Sequence, residues 1–396
     1  MIGHGARRDA ADDSPLAALG VTARVHGVHR LSDGALAARL IGLSGPVGSR
    51  LESEDDLRRV AAVMQQTAAL DDYAIACRRD VRLADGLPVI TLVDAVSLAR
   101  HRGPSIDLSM SVDVHDLVLR PRQVLDAVRT ACSDGRRVCV RIGLDDLGPA
   151  VLPVIDPDVV VLRAEVVRHV GDPAVARLVQ EMAAHLETST TVVVAEGIRG
   201  AGDVASAVSL GAHFGVGAHF AGTRPTARRA TFPLPRRRPS STRDERTPFD
   251  IVAATHRPRR GGQSLLVEMG RSLQAQATGG GSASLLVRST GDTCDLSHLS
   301  VRTWSDPSHD VAPVYGVRIP LLSAGRLTRQ DSQEEWNVAV LGPHVCAALT
   351  ARVVDRVDPG AAVPDGERHF EFVQTYDRAT VVAVTRSMLR GFADPA

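Results

Sequence analysis

Short runs of branched aliphatic residues recur through the first half of the chain, and each is followed by apolar residues at helical spacing. Val138, Val140, Ile142 and Leu144 alternate as a strand that stops at Asp145-Asp146. The run from Val159 to Leu162 leads to a helix over residues 174–186. Residues 191–195 form a β-branched run ending at Glu196-Gly197, a helix over residues 203–210 follows, and a last short strand is expected at 213–216. Earlier, Ser53-x-x-Asp56 has the form of a capping box and opens a helix to Cys77, with Leu57, Val60, Ala61 and Met64 on one stripe. Pro121 opens another helix carrying Val124, Leu125 and Val128, with Gly135 past its end. Strands joined by helices lie parallel in one sheet covered by those helices. In about 200 residues such a sheet closes naturally into a βα-barrel, whose chemistry sits where the strands end. Asp145, Asp146 and Glu196 each directly follow a strand.

Composition sets outer limits. The chain has 396 residues, and its 46 basic residues are all arginine, so any mechanism that needs a lysine is excluded. A single asparagine, Asn337, is present. Acidic and basic residues balance at 46 each, so net charge points to neither nucleic acid nor a membrane surface. The five cysteines are scattered, without a Cys-x-x-Cys pair, and predict neither a disulfide framework nor a zinc knuckle. The opening MIGHGARRDAADD lacks the apolar core of a signal peptide, and no run approaches the ~20 apolar residues of a membrane span. A soluble, cytoplasmic protein is expected.

Residues 223–248 are rich in proline, arginine and serine with little to bury, and read as a linker. Arg236, Arg237 and Arg238 are either a contact for an acidic partner or nucleic acid, or the solvated face of that linker; the second reading is the simpler. Beyond it, a helix over 263–276 carries Leu265, Leu266, Met269 and Leu273 on one stripe, and Gly279-Gly280-Gly281 ends it. Strands are expected from Ser284, at 336–341 and at 370–374, with helices over 343–352 and 378–389. The fold class is α/β: a (β/α) barrel (1–225), a linker (226–247) and a smaller α/β domain (248–396).

The strand ends resemble the EAL family of cyclic di-GMP phosphodiesterases. The segment from Val140 to Gly148, with Asp145-Asp146-Leu147-Gly148, is similar to that family's Asp-Asp-Phe-Gly strand end. Pro157-Asp158-Val159-Val160-Val161-Leu162-Arg163 resembles its Pro-Asp-x-x-Lys-x-Asp strand, and Val194-Ala195-Glu196-Gly197-Ile198 its Ala-Glu-Gly-Val-Glu motif. The stretch from Leu210-Gly211 through Gly217 to Thr223-Arg224-Pro225 resembles its closing segment. The resemblance covers roughly residues 20 to 225. It implies two Mg²⁺ or Mn²⁺ ions clamping a phosphate and activating a water, which needs several converging oxygen ligands.

This sequence departs from that pattern at most of the implied positions. Residues 34–46, where the signature glutamate belongs, hold no carboxylate. Residues 111–114 offer Asp113 alone, the family's lysine aligns with Val161, its second glutamate with Arg199, and its pocket glutamine with Val216. Asp145, Asp146 and Glu196 survive as a vestigial site. They either keep one weakly held Mg²⁺ or Mn²⁺, or cap following helices and pair with arginines. The resemblance therefore implies a pseudo-phosphodiesterase with no working cofactor, since loss of even one such group lowers rate by orders of magnitude. Arg141, Arg163 and Arg199 are the candidate contacts should cyclic di-GMP still bind.

The remaining chain resembles the DICT sensory domain over residues 247–390. Pro248-Phe249-Asp250, the run from Glu335-Trp336-Asn337 to Pro343-His344, and the run from Phe370 to Tyr376-Asp377-Arg378 carry the resemblance. Trp336, His344, Tyr376 and Asp377 are its motif residues, with Trp336 and Tyr376 either lining a ligand pocket or packing a core. The family implies signal input or coupling to a protein partner. EAL barrels are often dimeric, so a homodimer is an expectation of the resemblance. His26-x-x-His29 lies on a strand, where positions three apart face opposite ways. Cys294 with His298 lacks further ligands, and Gly215-x-Gly217 lacks the rest of a phosphate-loop motif. Together these point to a catalytically inactive signalling protein in cyclic di-GMP-related bacterial signalling. The alternative is a diverged phosphodiesterase with single-metal activity.

Overall fold

The computed structural model describes residues 20–100, 108–144, 148–221, 229–235, 246–279, 284–290, 316–318, 335–354 and 368–391. Asp145, Asp146, Cys294, His298 and Arg236–Arg238 lie outside them.

Eight strands close a barrel in sequence order. They are β1 (Thr22–Arg30), β2 (Leu36–Ser44), β3 (Val89–Asp94), β4 (Leu108–Val112), β5 (Arg137–Ile142), β6 (Val159–Leu162), β7 (Val192–Ala195) and β8 (Phe214–Gly215). From β2 to β8 neighbours run parallel, whereas β1 is antiparallel to both β2 and β8. Around the barrel run α1 (Glu54–Val63), α2 (Thr67–Asp85), α3 (Ala95–Arg100), α4 (Val114–Leu119), α5 (Pro121–Ser133), α6 (Gly148–Ile155), α7 (Ala164–Arg168), α8 (Pro173–Leu186) and α9 (Ala201–Ser209).

Both faces of the central strands are buried, which is why they read as continuous apolar runs. Val138, Val140, Ile142, Val160, Leu162 and Val193 pack outward in the core shared with the helices. Cys139, Val161, Val194 and Val216 belong to the separate core inside the barrel. Each fully buried aliphatic side chain contributes about 2 kcal/mol of transfer free energy. The Cys139 thiol, in the apolar interior, is pushed up to about 12 by burial, so it stays protonated at neutral pH.

The stretch 53–77 is two helices rather than one. Gln65 adopts the left-handed φ of 57°, and the Gln66 N–H reaches the Ala61 carbonyl at 2.7 Å while that of Gln65 reaches Ala62 at 3.1 Å. That is a Schellman stop with glutamine where glycine is usual. Ser53 is the N-cap in position, but its side chain makes no capping bond.

The segment read as linker also begins inside the first domain. Phe232 is buried in the barrel core, at 5.0 Å from the Phe214 ring, and the Ala230 N–H bonds the Leu36 carbonyl at 2.9 Å. Leu36 and Arg137 open β2 and β5, so residues 229–235 close the floor of the barrel. Arg137 completes that floor, its guanidinium 5.2 Å above the Phe232 ring and bonded to the Pro233 carbonyl at 3.1 Å.

Among the described residues a second sheet of six strands follows, in the order β11-β10-β12-β13-β14-β9. Its strands are β9 (Arg259–Gly262), β10 (Ser284–Thr290), β11 (Gly316–Arg318), β12 (Glu335–Leu341), β13 (Cys346–Val353) and β14 (His369–Thr375). The helix expected over 343–352 is the strand β13, paired antiparallel with β12 and β14. Its alanines favour a helix locally, but a slot between two strands, buried on both faces, overrides that weak preference. The helices here are α10 (Pro248–Ala253), α11 (Gln263–Gly279) and α12 (Arg378–Gly391). α11 covers one face through Leu266, Leu273 and Ala277, whereas Leu265 is half exposed and not part of that stripe. The other face, with Leu285, Val287, Ala339 and Leu341, joins α10 and α12 in the same core as the outer layer of the barrel.

Candidate functional site at the barrel mouth

The C-terminal ends of the parallel strands form the mouth. On β5 the inward positions are Arg137, Cys139 and Arg141, so one alternation carries the chain from floor to mouth. Glu196 lies two residues past the inward Val194, and its N–H is fixed to the Leu162 carbonyl at 2.9 Å. Arg163 lies two past the inward Val161, and its N–H is fixed to the Ile142 carbonyl at 3.0 Å.

Arg141 is the centre of the site. Its Nη2 donates to Glu196 Oε2 at 2.9 Å, and its Nη1 lies 3.1 Å from Asp55 Oδ1 and 3.9 Å from Glu54 Oε1. Asp55 Oδ2 is also 3.7 Å from Arg163 Nε. Glu54 continues the lattice to Arg58 at 2.9 Å, and Arg58 reaches Asp71 at 2.9 Å and the Leu92 carbonyl at 3.0 Å. Asp71, fully buried, accepts the Asp94 N–H at 2.9 Å, and Glu54 Oε2 accepts the Leu43 N–H at 3.2 Å. The first turn of α1 thus reaches over the mouth and ties β2, β3, β5 and β7 together through charge.

Burial would depress the Arg141 guanidinium, but Glu196, Glu54 and Asp55 outweigh it and hold the group above its ordinary value. Burial pushes Glu196 up; Arg141 opposes, while Glu54 and Asp55 add to the rise. Glu54 goes the other way: burial would raise it, but Arg58 and Arg141 outweigh that and hold it low. The mouth therefore has one carboxylate with lowered proton affinity and one with raised proton affinity.

Beside this lattice opens a cavity of about 530 Å³, reaching from α1 and α2 across the ends of β3, β4, β5 and β6. Arg58, Arg141, Arg163 and Arg120 line it together with Asp55, Asp94, Asp113 and Asp116. Its charge is mixed, and its size lies within the range of small-molecule sites.

Of the residues singled out in the sequence, Arg141, Glu196 and Arg163 come together here. Arg199 does not: its side chain is 63% exposed and its Nε lies 3.9 Å from Asp203, four residues on along α9. Glu54, Asp55, Arg58 and Asp71 complete the site and were missed. For Glu54 and Asp55 the signal was the acidic first turn of α1, which reads equally well as helix capping; Arg58 and Asp71 carried none. Among the described residues no three carboxylate, histidine or cysteine side chains are placed to hold a metal ion; Glu196, Asp55 and Glu54 converge on the Arg141 guanidinium instead.

In the second domain the motif residues are dispersed. Trp336 is buried against α11, with Gly270 so close that a Cβ there would stand 2.8 Å from the indole. Tyr376 is exposed, in contrast to the buried Trp336. Asp377 caps α12, accepting the Thr380 N–H at 2.9 Å, and His344 is exposed beside β13. Glu335, fully buried, takes Arg352 at 2.9 Å and the Phe249 N–H at 3.1 Å. His26 and His29 share no ligand geometry; His29 stacks on Phe220 at 4.4 Å.

No described helix is long and apolar enough to cross a membrane. No protein-family model matches the chain, and no curated protein matches it in sequence. Among solved structures it is similar to the Xanthomonas citri FimX EAL domain in complex with c-diGMP, at 14% identity and a TM-score of 0.40, over 51% of this chain and 87% of that one. It is also similar to Klebsiella pneumoniae BlrP1 in a calcium/cy-diGMP complex, at 15% identity and 0.42, over 53% of this chain and 56% of that one. A Vibrio cholerae LapD S helix-GGDEF-EAL chain bound to c-di-GMP gives 12% and 0.40, over 50% and 52%. The chain spans about half the length of these last two, and each of the three is matched over about half of this chain.

Proposed function

We propose that this chain is a signalling barrel that senses a ligand or partner at its mouth without hydrolysing it, within cyclic di-GMP-related signalling. The second domain, with its resemblance to the DICT module, serves as the input or coupling unit. The observation that carries this reading is the engagement of Glu196 by Arg141, with Asp55 and Glu54 closing on the same guanidinium. A fixed organic cation supplies the countercharge that these carboxylates need. It cannot activate a water as a metal does. The four EAL-like motifs in order, and a cavity walled by Arg141, Arg163 and Arg58, favour a phosphate-bearing ligand such as cyclic di-GMP.

The test is calorimetric titration of the full-length chain with cyclic di-GMP in the presence of Mn²⁺, with the linear product followed in parallel. Saturable heat without product is the expected outcome. Sustained heat with linear dinucleotide would overturn the reading in favour of a diverged phosphodiesterase that uses Glu196 with Asp145 and Asp146. Absence of heat would move the sensing role to protein contact.

A further inference from the structure

The second domain is built into the outer wall of the barrel. α12 packs against α5 and α6, and Val384, Met388 and Leu389 share one apolar core with Leu125, Val151 and Ile155. Polar contacts fix the alignment. Arg386 Nε donates to the Val154 carbonyl at 2.7 Å and its Nη2 to the Pro153 carbonyl at 3.4 Å, both in the last turn of α6. Those carbonyls lack an intrahelical partner, and a cation at a helix C-terminus also complements its dipole. Arg390 Nε lies 3.7 Å from Asp126 on α5.

The opposite end of α6 meets the site. A Cβ on Gly148 would stand 2.7 Å from Ile142 Cγ1, so the helix start rests directly on the mouth end of β5. Ile142 is the neighbour of Arg141. Close-packed contacts of this kind transmit displacement, because they have no slack to absorb it.

We propose that α12 and α6 form a mechanical link from the second domain to the barrel mouth. Arg386 fixes α6, α6 fixes the end of β5, and β5 sets the position of Arg141. This goes beyond the sensing role proposed above and requires no particular ligand. Arg386 is a positioning residue.

Hydrogen exchange of the ligand-free, full-length chain tests it, read by mass spectrometry for wild type, Arg386→Ala and Arg386→Lys. Arg386→Ala should speed exchange about tenfold in α6 and in peptides covering residues 141–144, the size expected for losing the short bond to the Val154 carbonyl with the longer one to Pro153 adding little. Peptides from β2 and β3 should keep their wild-type rates. Arg386→Lys, which retains one donor to Val154, should show the same pattern reduced to a few-fold, and it carries the test should the alanine variant fail to fold. Acceleration confined to α12 and α6, with residues 141–144 unchanged, would overturn the link. So would uniform acceleration over the whole barrel, which would make Arg386 a general stabilising contact.

Discussion

Arg137 and Arg141 stand on one strand with the same inward direction, yet they end in opposite settings. At the floor, Arg137 lies over Phe232 and binds a backbone carbonyl, sealing the barrel with an aromatic plug. At the mouth, Arg141 is surrounded by Glu196, Asp55 and Glu54 and borders a cavity of about 530 Å³. The floor satisfies its cation in order to close a core. The mouth satisfies its cation in order to hold four strand ends in a fixed charged frame beside an open space. The same residue type serves packing at one end and electrostatic organisation at the other, and only the partners brought in from distant segments distinguish them.

The contrast predicts different failures. Phe232→Ala should have the largest effect, about 4 kcal/mol of lost stability, because a buried aromatic leaves a cavity that the rigid barrel cannot collapse around. Urea unfolding measures it, and a loss below about 1 kcal/mol would mean that residues 229–235 do not close the floor. Arg141→Ala should cost about 3 kcal/mol, since it leaves three largely buried carboxylates facing one another. A neutral result in the same assay would show that the mouth lattice is solvated and contributes little. The smallest effect lies in the pH dependence of Glu196→Gln. The proton affinity of Glu196 is raised in the fold, so the folded state binds the proton more tightly than the unfolded chain. Wild type should therefore lose stability relative to the variant as pH rises from the ordinary carboxylate value through the raised one. Unfolding midpoints across that window check the sign, and the reverse slope would make the Arg141 pair dominant over burial.

Much of the barrel was legible. β5, β6 and β7 follow from their branched aliphatic runs, and α5 from Pro121, Val124, Leu125 and Val128, because burial on both faces leaves a strong local pattern. The two strand-end groups Arg141 and Glu196 were legible through motif order and their place at strand ends. Less visible was the break at Gln65, since a left-handed stop without glycine carries no sequence signal. The strand nature of Cys346–Val353 was hidden by alanines whose local preference is weak. Phe232 sat in a proline- and arginine-rich stretch whose composition spoke for a linker. Arg199, three residues beyond Glu196, lies past the end of β7 where strand alternation no longer fixes direction.

The amino-acid order by itself determined that strands and helices alternate, that lysine chemistry is absent, and which side chains share a face along β5. Those are properties of local spacing and residue type. Only the tertiary structure decided that the first turn of α1 folds over the mouth, that Phe232 plugs the floor, and that α12 belongs to the barrel wall as much as to its own sheet. Each depends on which distant segment best fills a space or pairs a charge, and that competition is settled by packing and electrostatics across the whole chain.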